Sequence, residues 1–231
     1  MLHRFDLYSQ VHRGLRLALS HLCHQAGSVD FTEEEKVNAF IEEFRNVTII
    51  LEAHSHDEDT HLNDSYQKFA PSVLEQLEAE HSFLDEKLEQ LIALVNQLEA
   101  SAPQSDERKQ LWYVIGKSLN RFAAEYLNHL QTEEGPGMHA LWENLTDDEL
   151  KVLSQNIRSS IPPQTMVIFM HYMIPSLSHR ERVEIFSEMK KLAPKEVLTG
   201  MLGIAEARLD ATSWKSLQLA LEQVKTEGAH A

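Results

Sequence analysis

The sequence predicts an all-α protein: an up-and-down bundle of four long helices followed by a helical C-terminal extension. Three observations lead to this prediction. Apolar residues recur at spacings of three and four along several long segments, which is the periodicity of amphipathic helices. Only eight glycines and seven prolines occur in 231 residues, and short polar connectors separate the segments. An apolar fraction of 42% at this length suits one helical domain, or one domain with an extension.

The first two helices are predicted from their apolar stripes and their boundary residues. The first is predicted over residues 2–26 and is expected to end at Gly27. The second is predicted to begin after Asp30 or Thr32, where acidic residues favour the positive end of a helix. It is expected to fade near Leu62, where an asparagine and an aspartate intervene.

The third and fourth helices are bounded by proline and glycine. Pro71 suits the first turn of a helix that continues to about Ala100. Residues 101–105 form a connector to a fourth helix over residues 106–134. The Gly-Pro-Gly segment at 135–137 is expected to stop that helix abruptly.

A second section begins at residue 146 and reads as an extension of shorter helices. Thr146 and Ser178 each open a capping-box pattern, and prolines stand at further helix starts. We therefore divide the chain into a bundle over residues 1–145 and a helical extension over residues 146–231. The predicted helices of the extension cover residues 147–158, 164–174, 179–192, 195–209 and 213–226.

Histidines and glutamates interrupt the apolar stripes of the four long helices. The second and fourth helices carry the pattern His-x-x-x-Glu near their C-terminal ends, and the other two carry one stripe histidine each. Residues four apart share a helix face, so both members of each pair face the core. Counted along the helices, these positions all lie about 10 to 15 Å from one end of the bundle. One shared site is therefore predicted from six residues: His12, His54, Glu58, His81, His129 and Glu133.

A bound cation is the simplest partner for this set. A polar group buried without a partner costs several kcal/mol, and metals accept neutral imidazole and carboxylate together. Asp85 follows His81 by four residues and is a candidate seventh ligand, although a surface position is favoured for it. His61 follows His54 by seven residues, so it is either a neighbour of the site or a boundary residue. His56 is expected to be solvated.

The order His, His-x-x-x-Glu, His, His-x-x-x-Glu across residues 12–133 resembles the hemerythrin-like family of HHE cation-binding domains. Residues 54–59 and 129–134 are similar to its two signature segments, and the resemblance covers about the first 145 residues. It implies four antiparallel helices around a non-haem di-iron centre. The implied assignment is His12 and His54 to one iron, His81 and His129 to the other, and Glu58 and Glu133 to both.

The third helix departs from the pattern of the oxygen-carrying hemerythrins. In those proteins it typically supplies two histidines four residues apart, whereas Leu77 and Asp85 stand at that spacing from His81 here. Fewer imidazoles leave more coordination positions that are open or filled by carboxylates. This departure speaks against reversible oxygen carriage and favours redox or sensing chemistry.

Composition and charge exclude several other classes of function. A net charge of -15 and a pI near 5.3, without clustered Lys and Arg, argue against binding nucleic acid or an anionic membrane. No segment reaches the roughly 18 apolar residues that a membrane span needs. Cys23 is the only cysteine, so an intramolecular disulfide or a zinc ribbon cannot form. A cytoplasmic location is expected.

The sequence thus predicts a protein that binds two iron ions and uses them to bind or sense oxygen, a related small oxidant or iron itself. Similar ligands also accept manganese or zinc. One alternative is a di-iron oxidase, peroxidase or nitric-oxide-handling enzyme. A second is a metal-stabilised interaction scaffold. In that case the extension, with its methionine-rich stripe from Met166 to Met173, would dock a protein partner or form a homodimer.

Overall fold

The computed structural model describes residues 4–227 and the side chains of residues 4–223, and every regular element within these ranges is helical. The predicted all-α class is confirmed. The first part of the chain contains α1 (Ser9–Ser28), α2 (Glu34–His61), α3 (Asn63–Phe69), α4 (Pro71–Ala100), α5 (Asp106–Thr132), a π-helix (Glu133–Gly137) and α6 (Met138–Asn144). The second part contains α7 (Asp147–Ser160), α8 (Pro163–Ser176), α9 (His179–Leu192), α10 (Lys195–Arg208) and α11 (Ala211–Glu227).

The four long helices pack against one another in a ring. Helix α1 contacts α2 and α5, and α4 contacts the same two helices. Their apolar stripes meet in the main core, where Leu15, Phe40, Leu91 and Ile115 are almost fully buried. The spacing of three and four in the sequence thus gives each long helix one face for this core.

Helix α1 begins at Ser9, so the prediction that it starts at residue 2 was wrong. The Asp6 carboxylate accepts hydrogen bonds from the backbone N–H groups of Tyr8 (2.8 Å) and Ser9 (2.9 Å), and these bonds fix the start of the helix there. Arg4 holds the preceding segment by donating to the Asp147 carboxylate at 2.6 Å. As a result His12 lies near the start of its helix.

Helix α3 occupies the position where the sequence suggested a break after Leu62. Asn63 and Asp64 begin this short helix. Tyr66 in this helix and Leu62 just before it are almost fully buried in a second apolar cluster at one end of the four long helices, and such packing stabilises a short helix. Met138, Leu141, Leu150, Leu74, Leu77 and Tyr8 complete this end cluster.

The helical path does not stop at the Gly-Pro-Gly segment, contrary to the prediction. It continues through the π-helix Glu133–Gly137 into α6. The wider turn of a π-helix gives the ring of Pro136 room where a regular turn would place it against a carbonyl group. Gly137 is required by close packing, because a Cβ there would lie 2.9 Å from the hydroxyl of Tyr66.

The five helices of the second part lie within a few residues of the predicted ranges, and both capping boxes are present at Thr146 and Ser178. Helix α8 packs on α1 and α2, and its Phe169 and Tyr172 belong to the main core. Helices α9, α10 and α11 share a third apolar cluster with the other face of α8. Among the described residues, no helix is both long and apolar enough to cross a membrane.

Candidate metal centre

The six residues predicted to form one site come together in the structure. His12 lies on α1, His54 and Glu58 on α2, His81 on α4, His129 on α5, and Glu133 opens the π-helix. Each is buried, from 0% exposed for His12 and Glu133 to 8% for His81. Together they form a polar layer between the main core and the end cluster.

Glu133 lies at the centre of this layer, with one oxygen facing each pair of histidines. Its Oε2 is 3.2 Å from Nε2 of His12 and 3.7 Å from Nε2 of His54. Its Oε1 is 2.8 Å from Nε2 of His129 and 3.6 Å from Nε2 of His81. One carboxylate therefore reaches histidines from all four long helices.

Glu58 spans the same two pairs. Its Oε1 is 3.4 Å from Nε2 of His54, and its Oε2 is 3.5 Å from Nε2 of His81. Two groups of potential ligands result, and the ligand atoms within each group lie within 4.8 Å of one another. The groups are His12, His54, Glu58 and Glu133, and then His81, His129, Glu58 and Glu133.

The hydrogen bonding of these atoms fits a bound cation. The Nε2 atoms of His12, His54 and His81 and all four carboxylate oxygens of Glu58 and Glu133 are buried without a hydrogen-bond partner. Buried polar atoms nearly always have partners, because an unsatisfied one costs free energy. A cation between these nitrogens and oxygens would satisfy them all.

The other ring nitrogen of three of these histidines is held by a carboxylate. The Nδ1–H group donates from His12 to Glu134 at 2.9 Å, from His81 to Asp59 at 3.2 Å and from His129 to Glu80 at 2.9 Å. This hydrogen bond fixes the tautomer that leaves Nε2 free as a ligand. In every case the carboxylate and the imidazole come from different helical elements.

Two of these outer carboxylates, Glu134 and Glu80, are themselves held by hydrogen bonds from other side chains. Arg16 donates two hydrogen bonds to Glu134, at 2.8 and 2.9 Å. The Thr132 hydroxyl donates to Glu80 at 3.1 Å, and the Gln76 amide donates to the same oxygen at 2.8 Å. Side chains held by several bonds keep the imidazole rings in one orientation.

The pKa values of the two central carboxylates are shifted in opposite directions. Burial, followed by the charge of Glu133, raises the pKa of Glu58 well above its usual value. Burial also opposes ionisation of Glu133, but contacts with four histidines lower its pKa well below the usual value. Burial therefore opposes the simultaneous ionisation of the two carboxylates. The positive charge of a bound cation would favour the ionised form of both.

The pKa values of the histidines also shift in different directions. Burial lowers the pKa of His54 to about 4, so its imidazole is neutral at neutral pH. Burial acts in the same direction on His81, but Glu133 and Glu58 outweigh it and raise the pKa of that group to about 11.

The remaining candidates lie outside the two groups. Asp85 is exposed, and His61 pairs through Nε2 with the Ser160 hydroxyl at 3.0 Å. His56 is exposed, as expected.

The outer carboxylates of Glu134, Asp59 and Glu80 were not predicted. Each directly adjoins a candidate ligand in the sequence, and this adjacency is the signal that was available.

The fold and the site define a class of helical proteins whose buried histidines and carboxylates are able to hold metal ions. A comparison with family models agrees: the hemerythrin HHE cation-binding domain matches residues 3–136. The chain belongs to this family, and all six candidate ligands lie in the matched range. Neither a curated protein nor a solved structure matches the chain significantly.

Proposed function

We propose that the protein holds a dinuclear non-haem iron centre. In this proposal His12 and His54 bind one iron, His81 and His129 bind the other, and Glu58 and Glu133 bridge them. The observation that carries the proposal is the position of the two carboxylates, each of which turns one oxygen toward each histidine pair. A single ion would leave one of these pairs without a partner.

We also propose that α1, α2, α4 and α5 form an up-and-down bundle of hemerythrin type, with residues 146–231 as its extension. His12 lies near the start of α1, whereas His54 lies toward the end of α2. His81 lies in the first half of α4, whereas His129 lies in the last turn of α5. Because the four residues meet at one depth, successive helices run in opposite directions.

The proposed activity is binding or sensing of oxygen, of a related small oxidant, or of iron supply. Two imidazoles and two carboxylate oxygens would give each metal four protein ligands, fewer than the about six of an octahedral ion. The protein thus leaves positions for a small molecule. When bound, iron would supply reversible electron exchange with such a molecule, although manganese and zinc also accept these ligands.

The surrounding side chains orient the candidate ligands and shield them from bulk water. The carboxylates on Nδ1 hold the imidazoles of His12, His81 and His129 with Nε2 facing inward. The main core and the end cluster exclude bulk water from both sides of the polar layer. Shielding from bulk water strengthens electrostatic interactions with any charge that develops inside the site.

The test is metal analysis of anaerobically purified protein, with its visible spectrum recorded before and after oxygen is admitted. We expect about two metal ions per chain and a spectral change with oxygen. One ion per chain, or none, in protein reconstituted with iron would contradict the dinuclear centre.

A second candidate is an enzyme that turns over peroxide or nitric oxide. It is favoured by an unpartnered polar group beside His81, at a small cavity of about 10 Å³ that has room for about one water-sized group. Tyr126 lines this cavity, and its buried hydroxyl has no hydrogen-bond partner. Multiple turnovers with peroxide or nitric oxide would distinguish this enzyme from a stoichiometric binder.

A further inference from the structure

A cation can reach the buried centre only by passing through protein. At one end of the ring of long helices, the apolar end cluster covers the polar layer with residues such as Tyr66, Met138 and Leu141, which are almost fully buried. On the other side lies the main core, which is also apolar and is interrupted beside His81 by a small cavity that core residues such as Leu84 and Phe122 line. Both would strip the water from a cation without replacing it.

The cavities of the structure suggest a lateral route instead. The small cavity beside His81 shares Ser55, Asp85 and Leu88 with a larger open groove of about 330 Å³ on the surface. The groove lies between α2 and α4, whose residues form its walls. These shared residues lie where the two spaces adjoin, and they would form the neck of a route from solvent to the interior.

The walls of the groove carry negative charge. Glu52, Asp59, Asp85 and Glu89 line it together with His56, and all five side chains are exposed. No lysine or arginine is among its lining residues. A cleft lined by charges of one sign concentrates ions of the opposite sign and speeds their entry.

The inner end of the route presents ligand atoms. His81 lines the small cavity and is only 8% exposed. Its Nε2 atom has no hydrogen-bond partner. Asp59 joins the two ends, because it lines the groove and also accepts the Nδ1–H bond of His81 at 3.2 Å. The carboxylates of the groove therefore lead to His81, a candidate ligand of the metal centre.

We propose that divalent cations enter the metal centre laterally, through the acidic groove between α2 and α4 and the neck at Ser55 and Asp85. This inference rests on the proposed metal centre. The groove carboxylates concentrate the cation, and Ser55, as a small side chain, keeps the neck narrow but passable. His81 is then the first candidate ligand that an entering cation meets, and binding of the cation releases the proton from its Nε2 atom.

The experiment measures the rate of loading separately from the final occupancy. Full-length protein is stripped with a chelator and mixed with Co²⁺, whose visible absorption reports binding, at low and high salt. The test variant is Asp85→Asn with Glu89→Gln. The control is Glu75→Gln with Glu78→Gln, which makes the same change in charge at exposed positions of α4 outside the groove.

We expect the groove variant to load about five to ten times more slowly than the wild type at low salt, with a weaker dependence on salt and an unchanged final occupancy. The control should load at nearly the wild-type rate. Ser55→Leu, which fills the neck without changing charge, should also slow loading and should retain the salt dependence.

The outcomes separate the two proposals. A wild-type chain that takes up no metal would contradict the proposed metal centre itself. Full occupancy reached at the wild-type rate in both groove and neck variants would overturn the lateral route alone. Equal slowing in the control would also overturn it, because the effect would then come from the overall charge of the chain.

Discussion

At the scale of single residues, substitutions of Glu133 and His54 should differ in how much metal the protein retains. Glu133 faces all four histidines, whereas His54 belongs to one of the two groups. We expect Glu133→Ala to lose both metals and His54→Ala to lose mainly one. Because a ligand bound only to the folded state stabilises it, the Tm of the metal-loaded protein should fall by about 5 to 10 °C.

His56→Ala is the control for this pair, because His56 is an exposed neighbour on the same helix. It should keep its metals and its Tm. Metal analysis and calorimetry of the three variants check the prediction. Equal losses in all three would mean that the inward face of α2 has been misassigned.

The carboxylates behind the histidines should tune metal affinity without binding metal themselves. Glu80→Ala removes the acceptor for Nδ1 of His129 and releases that ring. Loss of such a partner typically weakens metal binding about 10-fold to 100-fold. Competition with a chelator measures the affinity. Glu78→Ala, at an exposed position on the same helix, should leave the affinity unchanged.

Spacing alone predicted which six side chains meet, because positions four apart on an amphipathic helix share its buried face. It did not predict Glu134, Asp59 and Glu80, because each bonds a histidine on another helical element. Such pairs depend on how the helices are placed side by side. Periodicity within one helix does not contain that information.

At the scale of helices, Gly14 sets how closely α1 and α8 approach. A Cβ at this position would lie 2.9 Å from Cγ of Met173 and 3.2 Å from its backbone nitrogen. Gly14→Ala should therefore destabilise the fold by about 1 kcal/mol, even after the gain in helix propensity. At Gly116 the nearest atom would be 3.6 Å away, so Gly116→Ala should be stabilising by about 0.5 to 1 kcal/mol.

Denaturant unfolding of the two variants checks the opposite signs. Stabilisation by Gly14→Ala would show that the contact between α1 and α8 yields easily.

The link between α1 and the start of α9 should depend on pH. Hydrogen bonds from Arg13 and Ser178 outweigh burial and lower the pKa of Glu181 to about 2. An unfolded glutamate titrates near about 4.3, so this stabilising contribution is complete above that pH and disappears as the pH falls through about 2.

Glu181→Gln keeps the pattern of the capping box but removes the charge. Its deficit in unfolding free energy relative to the wild type should therefore be largest near neutral pH and should shrink toward pH 2. A deficit that stays constant across this range would argue against the ionic link.

The ends of the helices were harder to predict than their inward faces. The start of α1 is fixed by the Asp6 carboxylate and by Arg4, whose partner Asp147 is distant in sequence. Within the π-helix, Glu133 belongs to the candidate metal centre, Pro136 lies in the helix interior, and Gly137 packs against Tyr66. Proline and glycine at that place are typical of a helix end, and only the surrounding packing explains why the path continues.

At the scale of the whole molecule, we predict that a chain ending at residue 145 exposes apolar surface and aggregates. Helix α8 supplies Phe169 and Tyr172 to the main core, so its removal uncovers α1 and α2. The six candidate ligands all precede residue 145, and the fragment should keep its metals if it is held in solution. Light scattering and metal analysis test both parts. A soluble fragment without metal would mean that the extension is needed by the site.

Removal of the metals from the proposed centre should also change how the chain unfolds. Glu133 and the histidines join segments that are far apart in sequence, from His12 in α1 to the π-helix. A metal pair held by all of them would cross-link these segments in the folded state, and it would stabilise that state because the ligands come together only there. With Cys23 as its only cysteine, the chain has no covalent counterpart to these links. Its cross-links would be reversible, and a competing chelator could open them without any change in redox state.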